Sequence, residues 1–279
     1  MKKNFLLAVV AVGFVACNSA LDALATDSSI TLKDNNTEVT FSFQDKFGMK
    51  NWYVDGVSQL YRQQFYYRIG STDYERPIDS LNLWNITQTS DNSLSLVYGK
   101  RGLKIEVSYL LSGGVEGSGY STISEQIKIS NLSRRSIDFH FFQFVDFDLA
   151  GEYLGDELLL IQNEDGLFTG AYQRKGNSYF GEELLSPGAN RAQADEVYPT
   201  WPLFDSLVDS QPTTLNNSAG PISGDPAWAF QWDQCIDAKG SFEISIVKTV
   251  YPIPVPEPSV FAIVSLVGVV VAARKRIKS

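Results

Sequence analysis

The chain of 279 residues contains one histidine, two cysteines and two methionines. Zinc centres built from several histidine or cysteine ligands are therefore excluded. A Ser-His-Asp triad would have to use His140, and a Cys-His site would need Cys235. Cys17 lies in the N-terminal apolar stretch, so Cys235 stands alone once that stretch is removed, and no intramolecular disulfide can form. Between Trp232 and Ile236, Cys235 is expected to be a small buried hydrophobe. Long amphipathic helical patterns are also missing from the body of the chain. So is any basic patch: without residues 1–25 and 259–279, the 23 basic and 32 acidic residues become 17 and 31, a net charge of −14. Such a surface repels nucleic acid, so no nucleic-acid partner is expected.

The two ends carry an address. Lys2 and Lys3 precede an apolar run of 11 residues, Phe5 to Val15, and Ala23-Leu24-Ala25 places small residues at a cleavage site. Residues 1–25 are predicted to be a signal peptide, with Ala23 and Ala25 at its −3 and −1 positions. Lipidation of Cys17 is the rival, against which Phe14 stands where an aliphatic residue is usual. At the other end Ser259 to Ala273 is uncharged for 15 residues and is followed by Arg274-Lys275-Arg276 and Lys278. As a helix it reaches about 22 Å, short against a hydrocarbon core of about 30 Å. Residues 259–279 are predicted to be a transmembrane sorting segment whose basic end stays in the cytoplasm. Residues 251–258 (Tyr-Pro-Ile-Pro-Val-Pro-Glu-Pro) form a proline-rich linker that stays extended.

Pro256, Glu257 and Pro258, the short apolar segment, and Arg274, Lys275 and Arg276 together resemble a PEP-CTERM sorting signal. The resemblance covers about residues 255–279. It implies an exosortase as processing partner and a Gram-negative, exopolysaccharide-producing host. The precursor would be anchored in the inner membrane and its body then passed to the cell surface or released. Members have unrelated bodies, so the resemblance implies location and not activity.

Strand signals fill the body, residues 26–250. Leu103, Ile105, Val107 and Tyr109 alternate with polar neighbours, as do Ile123, Ile127 and Ile129, and Phe242, Ile244 and Ile246. Further strands are predicted over 38–43, 60–69, 94–98, 137–149, 158–161 and 227–232. The glycine-rich stretch 112–119 reads as a hairpin loop, and 131–135 as a shorter turn between the next pair. The predicted fold class is all-β: a single antiparallel β-sandwich with one long irregular loop, 186–226, which holds at most a short helix near 202–209.

Two constellations could carry chemistry. In Asp146-Phe-Asp148-Leu-Ala-Gly151-Glu-Tyr-Leu-Gly155-Asp156-Glu157 the spacing matches an EF-hand-like calcium loop, with Asp146, Asp148 and Glu157 as candidate ligands. Ala150 at the fifth position and a strand-like approach oppose that reading, and a solvated acidic turn is the alternative. No other cofactor is expected. The second constellation is aromatic. Trp52, Trp84, Trp201, Trp228 and Trp232, with Tyr61, Tyr66, Tyr67 and Tyr198, are either core or sugar-stacking platforms. Tyr198 and Trp201, in the long loop, are the candidate ligand-binding residues. His140 alternates with Phe139 and Phe141 and belongs on the opposite face of its strand. The expected role is non-enzymatic: an exported surface or matrix protein associated with exopolysaccharide. The alternative is a secreted carbohydrate-active enzyme, which would need two carboxylates facing across a cleft.

Overall fold

The computed structural model describes residues 29–43 and 47–252. In chain order the strands begin with β1 (Ser29–Asp34), β2 (Thr37–Ser42), β3 (Met49–Val54), β4 (Val57–Ile69) and β5 (Arg76–Pro77). They continue with β6 (Asn82–Ser90), β7 (Ser93–Lys100), β8 (Leu103–Gly113), β9 (Ser121–Asn131), β10 (Ile137–Phe147) and β11 (Asp156–Gln162). The remainder are β12 (Phe168–Lys175), β13 (Ser178–Ser186), β14 (Arg191–Glu196), β15 (Ile222–Gly224), β16 (Pro226–Ile236) and β17 (Ser241–Pro252), with one α-helix, α1 (Pro202–Val208).

These strands form two sheets. The first has eight strands in the order β1-β2-β3-β4-β10-β16-β14, with β5 added to β4; the second has nine in the order β15-β11-β12-β13-β17-β9-β8-β7-β6. Every pairing between named strands is antiparallel. The all-β, two-sheet architecture is as the alternation predicts. Leu103, Ile105, Val107, Ile123, Ile127, Ile129, Ile244 and Ile246 are all buried in the core between the sheets.

Aromatic rings fill the centre of that core. Phe147 packs 3.8 Å from Phe180 and stacks on Trp228 at 6.0 Å between centroids. The indoles of Trp52 and Trp228 are fully buried, and each finds a partner. Trp52 Nε1 donates to the hydroxyls of Thr37 and Ser121, and Trp228 Nε1 donates to Glu182. A buried ionic group also bridges the strands. Lys248 Nζ lies 2.8 Å from Glu125 and 3.1 Å from Glu182. Gln63 and Gln143, from the facing sheet, donate to the same two carboxylates. Charges so deep persist only when paired.

Three sequence expectations change. The turn 131–135 joins strands of different sheets, so it is a crossover and not a hairpin. Asn131 stabilises it by donating to the carbonyls of Arg135, Ile236 and Asp237. The long segment 186–226 is not irregular throughout. It contributes β14 at the edge of the first sheet, α1 in the predicted place, and β15. The last strand runs to Pro252, two residues into the predicted linker.

The segment between β14 and β16 acts as a cover. In β10 the run Phe141-Phe-Gln-Phe-Val-Asp-Phe147 is buried on both faces. Phe139, Phe141 and Val145 point into the main core. Phe142 and Phe144 point outward and pack under Val197, Leu203, Leu207 and Leu215 in a second, smaller core.

Among the described residues no helix is long and apolar enough to cross a membrane. The predicted signal cleavage at Ala23 and Ala25, the tripeptide Pro256-Glu257-Pro258 and the segment 259–279 lie outside the described residues.

Candidate functional site

Strand alternation decides which acidic side chains meet. Asp146 closes β10 on its outer face, in register with Arg62 of β4 and Ala227 of β16. Asp148 follows in a short irregular turn in which Ala150 takes a positive φ of 60°. From the other side comes Asp225, immediately before β16. Gly224 holds a φ of +127°, which favours glycine and strains any side-chain-bearing residue, where the chain turns to present Asp225. One carboxylate oxygen each from Asp146, Asp148 and Asp225 lies within 4.8 Å of the others.

The predicted third ligand, Glu157, is elsewhere. Along β11 Asp156 is buried and Glu157 is exposed, and Glu157 pairs with Arg174 on the neighbouring strand. Asp156 turns inward instead. Its Oδ2 accepts from Gln173 at 2.7 Å, and Lys175 Nζ lies 3.8 Å from its Oδ1. The twelve-residue loop is therefore not a single EF-hand-like cradle. Its first two aspartates converge with a residue from a distant turn.

Burial governs the charge state of this group. Asp146 is 2% exposed, and desolvation, reinforced by the negative charges of Asp148 and Asp225, pushes its carboxyl well above the usual range against the pull of Arg62. Burial also raises Asp148, with Lys175 opposing. Asp156 is pushed up to about 7 by burial, partly offset by Lys175 and Gln173. Asp225 is raised to about 6 by burial and then by Asp148 and Glu196. Such environments disfavour three or four free carboxylates side by side.

The same end of the sandwich carries exposed rings. The turn after Asp148 is tied to β4, because Ala150 N–H donates to Gln59 Oε1 at 3.2 Å. The segment after β14 is tied to Asp225, because Val197 N–H donates to its carbonyl at 2.7 Å. These two segments bring Tyr153 and Tyr198 together with centroids 6.2 Å apart. Both are about half exposed, at 51% and 59%. Beside them Trp201 packs on Tyr61 at 5.9 Å and on Phe204 at 5.9 Å. Arg62 lies over the rings of Phe204 and Phe47, at 4.3 and 4.8 Å from their centroids.

The remaining aromatic candidates divide cleanly. Trp52, Trp228, Trp232, Tyr66 and Tyr67 are core. Trp84 is 47% exposed, but it lies against Gly99 of the next strand so closely that a Cβ there would meet its ring at 2.4 Å. It covers a glycine in the manner of an aromatic laid across a sheet. Tyr153 was not singled out in the sequence, because nothing local distinguishes it from other loop tyrosines.

His140 lies on the face opposite Phe139 and Phe141, as its spacing predicts. Its Nδ1 is 2.6 Å from Asp233 Oδ1, and its Nε2 faces Asp138 Oδ2 at 3.4 Å. A hydrolytic triad needs a serine hydroxyl where that second carboxylate stands. Burial opposes ionisation of Asp233, yet hydrogen bonds from His140 and Gln231 hold its carboxyl below the ordinary range. Cys235 is exposed, not buried. On β16 it has the parity opposite to Trp228, Phe230 and Trp232, and so points away from the core.

Solved structures share this fold at low identity. A bacterial glucoamylase solved with acarbose superimposes with a TM-score of 0.55 and 11% identity, over 80% of this chain and 32% of that one. The Slr1438 protein of Synechocystis sp. PCC 6803 gives 0.51 and 12%, over 84% and 99% of the two chains. A galactose mutarotase-like protein from Clostridium acetobutylicum gives 0.51 and 10%, over 81% and 95%. The chain spans about a third of the glucoamylase, and at these identities the likeness concerns the fold alone. No protein-family model matches the chain, and no curated protein matches it.

Proposed function

We propose that this chain is an exported, non-enzymatic β-sandwich that binds polysaccharide at the cell surface or in the surrounding matrix, through the aromatic end built by Tyr153, Tyr198, Tyr61 and Trp201. The observation that carries this reading is the Tyr153–Tyr198 pair, two adjacent rings left half in solvent on loops that are otherwise fixed by backbone hydrogen bonds. Aromatic faces pre-positioned in this way suit the C–H faces of sugar rings, and rigid rings lose little conformational entropy on binding. With a body charge of −14, the favoured ligand is a neutral exopolysaccharide, because a polyanion would be repelled. In this account the termini deliver the body: residues 1–25 direct export, the inner membrane holds the precursor, and an exosortase recognises Pro256-Glu257-Pro258. Affinity electrophoresis in gels cast with neutral polysaccharide tests the reading. Retarded migration of the native protein is expected, and unchanged migration across such gels rejects it.

A secreted carbohydrate-active enzyme is the second reading. Its support is the fold, which also occurs in the glucoamylase and the galactose mutarotase-like protein. It requires turnover, so release of reducing sugar or a change of anomer on incubation with oligosaccharides would favour it over simple binding.

A further inference from the structure

We propose that Asp146, Asp148 and Asp225 bind one divalent cation, and that the ion is calcium. Three independent features meet at this point. The first is geometric. One oxygen from each carboxylate lies within 4.8 Å of the others, so a small inward adjustment of these side chains brings all three within a calcium–oxygen distance of about 2.4 Å of one ion.

The second is an unanswered buried acceptor. Asp146 is 2% exposed, and its Oδ1 has no hydrogen-bond donor among the described residues. A buried carboxylate oxygen ordinarily accepts at least one hydrogen bond. The neighbouring cation Lys175 is directed elsewhere, since its Nζ donates to the Glu152 carbonyl at 2.6 Å and faces Asp156.

The third is charge. Three ionised carboxylates carry −3, and Arg62, which acts on Asp146 from β4, supplies one positive charge. A divalent ion offsets this negative excess. The groups facing the cluster from the surrounding elements are Arg62 of β4, Asp156 of β11, Lys175 of β12 and Glu196 of β14, so the surroundings add no other excess of positive charge.

Ligand chemistry selects the ion. All three donors are hard carboxylate oxygens with no histidine or thiolate among them, which suits calcium or magnesium and not zinc or copper. Donors from a strand end, an irregular turn and a distant loop form an irregular set. Calcium tolerates such a set, whereas magnesium demands near-octahedral closeness. Bound there, the ion joins the end of β10 to the loop before β16, where the Asp225 carbonyl accepts from Val197 N–H next to Tyr198. The site stands on the carboxylate geometry and does not depend on whether polysaccharide binds.

The test uses the purified protein stripped with chelator and then titrated with calcium chloride, and in parallel with magnesium chloride, by calorimetry and thermal melting. One equivalent of calcium is expected to bind and to raise Tm by several degrees. Asp148→Asn and Asp225→Asn should each weaken binding at least tenfold, while Glu157→Gln leaves it unchanged. Identical melts in calcium and chelator with no heat of binding would overturn the site. Binding that survives Asp148→Asn combined with Asp225→Asn, or that is lost in Glu157→Gln, would overturn the ligand set. Tighter binding of magnesium would overturn the assignment of the ion.

Discussion

The rings of Tyr153 and Tyr198 sit 6.2 Å apart, one on the turn that leaves β10 and the other on the segment that leaves β14. Their meeting depends on backbone hydrogen bonds that hold both segments against the same end of the sandwich. Truncating either ring therefore removes exposed aromatic surface without disturbing the core. Tyr198→Ala is expected to weaken polysaccharide binding roughly tenfold, about 1.4 kcal/mol. Tm should move by no more than a degree or so, because Tyr198 is 59% exposed. Equilibrium affinity electrophoresis beside a thermal melt separates the two effects.

Lys248 lies between the buried carboxylates of Glu125 and Glu182, and all three side chains are fully buried. Lys248→Met leaves two carboxylates in the core with only amide and indole donors. A loss of about 3–5 kcal/mol is expected, as for other broken buried ion pairs. Urea denaturation measures it, and a midpoint close to that of the unaltered protein would show that the charges are not held as described.

Stability should also fall as pH rises across neutrality. Burial raises Glu125, outweighing the nearby Lys248, and raises Asp156 to about 7. Unfolded, both groups titrate near 4. At Asp156 the folded chain therefore binds more protons than the unfolded chain between about pH 4 and pH 7, Glu125 acts in the same direction, and the stabilisation from Asp156 present below pH 4 is lost as pH climbs through 7. The carboxyls held low, such as Asp233 and Asp73, act only below that window. In chelator, a Tm a few degrees higher at pH 5 than at pH 8 is expected by scanning calorimetry; a Tm that rises over this range contradicts the assignment.

Much of the sandwich was legible from alternation, and the reasons for the exceptions are physical. In β8, β9 and β17 the apolar residues picked out by alternation all lie on the inward face, because one face of each strand meets the core and the other meets water; Glu125 and Lys248, buried on the same faces as an ion pair, carry no apolar signal. β10 offers no such contrast. Nothing local announces that a separate cover from 197–215 buries its Phe142 and Phe144. Asp146 and Asp148 were visible as an oxygen-rich turn, but Asp225 joins them only through the pairing of β10 with β16, a contact without a sequence signature. Glu157 and Cys235 were placed by neighbourhood, whereas strand parity turns both to solvent.

The exposed thiol gives a direct chemical check. Cys235 should react with one equivalent of a thiol reagent in the native, signal-free protein at a rate close to that in denaturant. A thiol that reacts only after unfolding would contradict the outward parity of this position on β16.

Delivery is tested separately. Replacing Pro256, Glu257 and Pro258 with alanine should leave the full-length chain in the inner membrane, read by fractionation and immunoblot. Unchanged release to the surface would remove the exosortase step while leaving the properties of the body untouched.

The central claim is that a rigid aromatic end of this sandwich binds polysaccharide. A glycan array probed with the purified protein and with a Tyr153→Ala, Tyr198→Ala double variant of unchanged Tm tests it most directly. Binding to neutral glycans by the first, and its loss in the second, is predicted. Absence of any glycan signal, or equal signal from both proteins, would contradict the account.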